Sequence, residues 1–347
     1  MDSPARIVPR KAWVDLTRFL GAFLVVLAHV VTYPTLMGKG TFWAQTAYYT
    51  VTRIAVPLFF MLSGMLLLSK EEPVGVFFRK RALKVLFPFI VWSLLYYYWN
   101  DYSLTVSNNL SFFLLGIVKT LKSPRAAHLW FFYSLIGLYV ATPILRVFAA
   151  RARKTDLLYF CSAWLLVVPL FGILNHQFSI FVNFEFPFLT GYVGYFVLGF
   201  YLGDIPFSRR MVLFSAFVFV ASFIFTFLAI YLGMQSPNYD KFYEQYLSLN
   251  VILMSASAFV LLKFTDQWIP QFPARWLVPL GGAAYGIYLF HVMLMDAFSR
   301  YLAPSLPILQ TGRTLFVMPL VSVVTFVICL AVILAVQKVP FLKYIVP

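Results

Sequence analysis

Ten predominantly apolar runs follow one another along this chain, at about 13–33, 46–68, 85–100, 129–148, 156–175, 188–203, 211–233, 247–264, 277–297 and 314–336. Most have the roughly 17–25 residues that a helix needs to cross about 30 Å of hydrocarbon, and two fall a little short. In lipid, a segment of this length satisfies its backbone hydrogen bonds internally as a helix. The expected fold is therefore an all-α polytopic transmembrane bundle of about ten spans. Composition agrees: 62% of residues are hydrophobic, 11% are charged and the mean hydropathy is +0.84. A soluble domain is roughly half apolar and a quarter charged. The 39 phenylalanines read as lipid-facing bulk, with tyrosine and tryptophan as interfacial belts.

A net charge of +15 suggests nucleic acid in a soluble protein, but here its distribution argues for topology. With the N-terminus inside, 18 of the 27 Lys and Arg residues fall on the inner side and seven on the outer side. Two, Arg18 and Arg53, are embedded. This bias predicts a multi-pass cell (inner) membrane protein with both termini cytoplasmic and no nucleic-acid partner. Asp15 and Arg18 interrupt the first run and no small-x-small site follows, so that span is expected to be retained. Cys161 and Cys329 lie in spans without a CxxC spacing, which supports neither a disulfide framework nor a zinc site.

No linker or repeat divides the chain, which reads as one membrane domain, 1–347, with its core at about 12–336. Residues 101–128 suggest an amphipathic helix on the outer interface. Outer segments 176–187 and 234–246 are aromatic-rich, and the inner loop SKEEPVGVFFRKRALKVLFP is a basic stretch opening the third span. Gly64, Gly191, Gly194, Gly199 and Gly203 read as small faces for close helix packing.

Ionisable side chains inside a span are functional-site candidates. The first span, WVDLTRFLGAFLVVLAHVV, holds three: Asp15, Arg18 and His29. Arg18 and His29 are eleven residues apart, so they project from nearly one face, roughly 16 Å apart along the axis, and Asp15 shares that stripe. His29 suits a general base near neutral pH, or a structural role bonded across helices. The Asp15–Arg18 pair suits an anion site or interfacial anchoring. Arg53, in TRIAVPLFFMLSG, stands at a depth similar to that of His29. It is placed to oppose developing negative charge or to snorkel to headgroups. His128 and His291 map to outer parts of their spans, and His176 to an outer loop. No HExxH or paired carboxylate accompanies them, so no metal is expected.

At these residues the chain resembles acyltransferase family 3. An arginine followed eleven residues later by a histidine in the first span, here Arg18 and His29, is that family's signature. VDLTRFLGAFLVVLAHV, RIAVPLFFMLSG, FRKRALKVLFPF, HLWFFYSLIGLYVATPIL, GYVGYFVLGFYLG and GAAYGIYLFHV resemble its segments in the expected order, over nearly the whole chain. The nearest likeness is to stand-alone members that O-acetylate surface polysaccharides, since this chain ends soon after its last span. The resemblance implies transfer of an acyl group, usually acetyl, from cytoplasmic acyl-CoA to a hydroxyl of an outer glycan or lipid-linked glycan. Acetyl-CoA is the implied donor. Arg18 then stands on the donor side and His29 serves as base, with Arg53 opposing charge on the thioester oxygen. Arg79, Arg81 and Lys84 are candidates for the CoA phosphates, although positive-inside topology explains them equally. Asp15, His128 and His291 are candidates for substrate contact. Tyr239, Phe242, Tyr243 and Tyr246 suit stacking on sugars or interfacial anchoring. A polytopic carrier that moves a glycolipid, or passes acyl groups to a separate enzyme, is the competing reading.

Overall fold

Helix formation begins where the first apolar run opens. Helix α1 (Ala12–Val31) continues for 20 residues to Thr32, whose hydroxyl donates back to the Ala28 carbonyl at 2.9 Å. The computed structural model describes residues 11–33, 42–101, 110–182, 186, 188–206, 208–237, 239–267, 274–302 and 314–347. All regular structure among them is helical. Arg6, Arg10, Lys39 and Arg313, counted in the charge bias, lie outside the described residues, as do parts of the 101–128 and 176–187 segments.

Proline shapes several elements. The second span is broken into α2 (Phe42–Thr52) and α3 (Ala55–Leu68) at Arg53 and Ile54. Pro57 has no N–H for the Arg53 carbonyl, and its ring crowds that carbonyl, so the break falls there. The third span comprises α4 (Val74–Arg81), a π-helical turn at Ala82–Leu86 and α5 (Phe87–Asp101). The wide turn stands just before Pro88, which cannot donate to the Lys84 carbonyl. The basic stretch expected as a loop is thus already helical from Val74, about three turns before the expected start at 85. A short helix α6 (Leu110–Lys122) follows, exposing Phe113, Leu114, Val118 and Leu121 as expected for an interfacial element. A 3-10 turn at Ala127–Leu129 then leads into α7 (Trp130–Arg151). The fifth span runs through α8 (Lys154–Leu165), a π-helical turn holding Pro169, and α9 (Phe171–Phe178). His176, expected in a loop, lies in α9.

The remaining helices are α10 (Val193–Asp204), α11 (Arg209–Gly233), α12 (Leu249–Phe264), α13 (Ala274–Tyr301) and α14 (Thr314–Gln337). Among the described residues, nine helical stretches are long and apolar enough to cross a membrane. The remaining run, the sixth at 188–203, differs from expectation. Residues 188–192 form turns, and α10 has 12 residues, about 18 Å of helix. It nevertheless joins two ends of the bundle. At its start, Tyr195 Oη donates to the Tyr246 carbonyl at 2.6 Å. At its end, Asp204 pairs with Lys154 at the start of α8 (3.5 Å), and Lys263 of α12 donates to the Leu202 and Ile205 carbonyls at 2.9 and 2.7 Å. An ammonium on the last carbonyls of a helix satisfies its open acceptors and its dipole.

Glycines let α10 sit against α3. A Cβ at Gly64 would stand 1.8 Å from the Phe196 carbonyl oxygen, and one at Gly199 would stand 2.1 Å from that of Met61. Gly194 likewise gives way to the Trp164 ring, and Gly203 to Met65. Gly191 serves differently. It takes a positive φ of 60° in the turn before α10, and its carbonyl accepts from Trp164 Nε1 at 3.0 Å.

Helix α1 lies at the centre, packed on α13 and touching α2, α3, α12 and α14. Helices α11 and α14 carry broad exposed apolar faces, such as Leu213, Phe217 and Ile224, or Phe316, Leu320 and Val327. These suit contact with lipid tails. The start of α1 and the ends of α3 and α10 meet at one end of the bundle, termed the basic face. The ends of α1 and α13 point toward the opposite, far face.

Candidate active site

The site is built outward from α1. At the basic face, Arg18 Nη1 donates to Asp15 Oδ1 at 3.2 Å, with side-chain exposures of 35% and 2% respectively. The carboxylate is accommodated because α13 offers Gly281, where a Cβ would stand 2.8 Å from Asp15 Oδ1. Asp15 thus orients Arg18 and fits α1 to α13. The structure does not bring it to His29, which lies about 20 Å further along the helix.

Arg18 lines a cavity of about 480 Å³ with Lys11, Lys70, Ser69, Phe200 and Asp204. Three cations face one carboxylate there. Burial first, and then the charge of Arg81, lowers the pKa of Lys70 from its ordinary value, so the cluster is crowded with positive charge. Of the three cations expected at the CoA phosphates, Arg79 and Lys84 are exposed, whereas Arg81 turns inward over the rings of Phe77 (5.4 Å) and Tyr139 (5.7 Å). Beside them stands a network that the sequence reading missed. Glu72 accepts from Lys80 Nζ at 2.7 Å and Arg146 Nη2 at 3.0 Å, while Arg146 Nε donates to the Leu67 carbonyl at 2.8 Å. The hydrogen bond from Lys80, helped by Arg146 and opposed by burial, holds the Glu72 carboxyl at a pKa of about 2. The acid pair Glu71–Glu72 among basic residues was the available signal.

Three turns beyond Arg18, His29 meets the two histidines assigned to the outer level. Ring centroids are 5.0 Å apart for His29 and His291, 5.1 Å for His128 and His291, and 6.0 Å for His29 and His128. His128 and His291 are fully buried. Nδ1 of His291 faces the carbonyls of Ile287 (3.1 Å) and Tyr288 (2.8 Å), so it carries the proton, leaving Nε2 as an acceptor. That Nε2 has no hydrogen-bond partner, and neither ring nitrogen of His128 makes a hydrogen bond of normal geometry. Leaving a buried polar group unmatched costs about 1–3 kcal/mol, so such groups call for a polar occupant. Tyrosines hold the triangle in place. Tyr288 Oη donates to the His128 carbonyl (2.5 Å), and Tyr96, 5.1 Å from the His128 ring, donates to the Leu289 carbonyl (2.8 Å).

Arg53 joins this group from the break in the second span, and its charge acts on His29. Its guanidinium lies over the rings of Tyr49 (4.1 Å) and Tyr246 (5.0 Å), and its buried Nε has no hydrogen-bond partner. Tyr246 in turn stacks on Trp130 at 5.6 Å. The aromatic residues of 239–246 therefore have protein neighbours: Phe242 stacks on His176 (4.2 Å), Tyr239 donates to Glu244 (2.8 Å), and Tyr243 packs on Phe225 (5.4 Å). His176 pairs with Asp240 and stands apart from the other three histidines. Among the described residues, no group of three or more His, Cys, Asp or Glu is arranged to hold a metal ion.

Toward the far face lies a cavity of about 200 Å³, lined by Tyr33, Tyr96, Trp99, Asn100, Asp296 and their neighbours. Asp296 was overlooked in the sequence, although it is an acid in an apolar run, five residues after His291. Its Oδ2 accepts from Trp99 Nε1 at 2.6 Å and pairs with Arg300 at 2.8 Å, and its Oδ1 accepts from Tyr33 Oη at 3.3 Å.

A buried polar cluster between two cavities, inside a helical bundle with spans of membrane length, defines a polytopic membrane protein with an internal site. The chain belongs to the acyltransferase family whose model, described as an acyltransferase domain, matches residues 11–336. It is thus a membrane acyltransferase. No curated protein and no solved structure gives a significant match to the sequence.

Proposed function

We propose that this protein takes an acyl group, usually acetyl, from acyl-CoA at the basic face and transfers it to a hydroxyl of a glycan at the far face. In this reading the basic face is cytoplasmic, the membrane is the cell membrane and both termini lie inside. The observation that carries it is a connection through one helix. Arg18 lines the basic cavity, and His29 of the same α1 stands in the histidine triangle below the far cavity.

The chemistry follows from the side chains. Arg18 and Lys70, with the exposed Arg79 and Lys84 nearby in sequence, attract the anionic end of CoA. The pantetheine arm then extends along α1 toward His29. The acceptor O–H gives its proton to a ring nitrogen of His29 as its oxygen bonds to the thioester carbon. The carbon–sulfur bond breaks, and CoA leaves as the thiolate that recovers the proton. The unpartnered Nε of Arg53 offers a donor to the oxygen on which negative charge develops. His128 and His291 supply acceptors that orient the hydroxyl.

The test is mass spectrometry of surface glycans from a deletion strain complemented with wild-type protein or with His29→Ala. Acetylation restored by the wild type and abolished in an equally abundant His29→Ala protein supports the reading. Normal acetylation in the variant refutes it. Purified protein that releases CoA only with acceptor separates transfer from carriage to another enzyme.

A further inference from the structure

We propose that the far-face cavity is the acceptor subsite for one neutral sugar ring, with the Asp296 carboxylate receiving its hydroxyls and Trp99 supplying its stacking face. This rests on the acyl-transfer reading above and names the acceptor chemistry of that site.

Placement comes first. Each histidine of the triangle adjoins a lining residue: Tyr33 is one turn past His29, Ala127 precedes His128, and Val292 follows His291. Tyr96 belongs to both, lining the cavity while its ring lies 5.1 Å from that of His128. The triangle thus lies behind the cavity wall, with Tyr96 between it and the space. The ring nitrogens of His128 and the Nε2 of His291, which make no hydrogen bond of normal geometry, belong to side chains 2% and 0% exposed, next in sequence to Ala127 and Val292 of that lining.

Chemistry comes second. A sugar ring presents an apolar face of C–H groups and an edge of hydroxyl donors. An aromatic ring matches the face and a carboxylate matches the edge. Trp99 is only partly buried; its N–H is committed to Asp296 and the Arg300 guanidinium stands over one side of its ring at 5.8 Å, which fixes the indole and leaves its other face for stacking. Asp296 Oδ2 already has two donors, whereas Oδ1 has one contact at 3.3 Å and retains accepting capacity. Its side chain is 23% exposed, open to the cavity yet fixed by its partners.

Size and charge narrow the ligand. At about 200 Å³ the space falls below the ~300–1,000 Å³ of sites for drug-sized ligands. It suits one ring, with the rest of the acceptor outside. The Asp296 carboxylate is balanced by Arg300, so the pocket offers an anion no net attraction and a hydroxyl a strong acceptor.

The test uses purified protein in liposomes with radiolabelled acetyl-CoA and, as acceptor, the glycan and glycolipid extract of the producing cell. Asp296→Asn and Trp99→Leu are expected to raise the acceptor KM by roughly tenfold to a hundredfold, as for loss of a contact to a charged group. The KM for acetyl-CoA should change little, because its cavity lies at the other face. Tyr33→Phe, which removes one bond to Asp296 without changing shape, is expected to give a smaller shift in the same direction. It covers the case of a variant that does not fold. Unchanged acceptor KM in folded variants, with wild-type transfer intact, overturns the subsite alone. Inhibition of transfer by inorganic phosphate and not by free hexoses also overturns it. No acetyl transfer to sugar by the wild type overturns the acyl-transfer reading itself.

Discussion

Single side chains divide the work between the two faces, and each makes a distinct demand on mutation. Replacing His29 by alanine removes the proposed base and should lower turnover by roughly a hundredfold or more, measured as acceptor-dependent CoA release, while membrane accumulation is retained. Arg53 is held by the faces of Tyr49 and Tyr246, contacts a planar guanidinium makes better than an ammonium. Arg53→Lys should therefore keep the charge yet cost about tenfold in turnover. Glu72 predicts a pH effect. Its carboxyl is held at a pKa of about 2, first by Lys80 and then by Arg146, below its ordinary value of 4.5. The folded state therefore binds the proton more weakly than the unfolded state. The stabilisation is complete above pH 4.5 and fades as pH falls from there toward 2. Thermal melts of wild type and Glu72→Gln should differ most at pH 6–7 and converge as the pH is lowered through that window. A constant difference would remove Glu72 as their cause.

Among elements, the α3–α10 contact tests how closely two helices approach. With its Cβ placed 1.8 Å from the Phe196 carbonyl oxygen, Gly64→Ala must push backbone apart. Overpacking costs about 1–3 kcal/mol or more, so the variant should accumulate poorly and melt lower. Gly137→Ala in α7 meets nothing within 4 Å and should be neutral or slightly stabilising in the same assay. The role of Gly64 was legible in the sequence because small residues mark close helix contacts. So was the α1 stripe, which depends on helical rise alone, and so was the shared depth of His29 and Arg53, which depends also on their two spans being neighbours. The break at Arg53 differs from the continuous 46–68 span expected, although Pro57, four residues on, carries the signal for it. What was not legible depended on tertiary pairing. Nothing local joined Asp296 of α13 to Trp99 of α5 or to Tyr33 just past α1. The partners of Glu72 lie eight residues and 74 residues away. Tyr246 looked available to a ligand until folding laid it over Arg53.

At the scale of the whole molecule, the parity of crossings turns on α10. Nine described stretches have spanning length, an odd number that would place the two ends of the chain on opposite sides. The contacts of α10 argue against that. Its start is joined to the Tyr246 segment, and its end to Lys154 and Lys263, which begin and close their own spans. A short helix with an irregular entry at residues 188–192 can complete a crossing where protein surrounds it, and the glycine contacts with α3 supply that surround. The C-terminal segment agrees: beyond α14, the Ile345 carbonyl accepts from Trp92 Nε1 at 2.9 Å, near the beginning of α5. Single cysteines at Ser208 and Ser236, on either side of α11, provide the measurement, because the native Cys161 and Cys329 are buried. With an N-terminal tag as reference, a membrane-impermeant maleimide should reach Ser208→Cys from the side that carries the tag, six crossings on, and Ser236→Cys from the other. Labelling of Ser208→Cys opposite to the N-terminal tag would remove α10 as a crossing, and with it the placement of both ends of the chain on one side of the membrane.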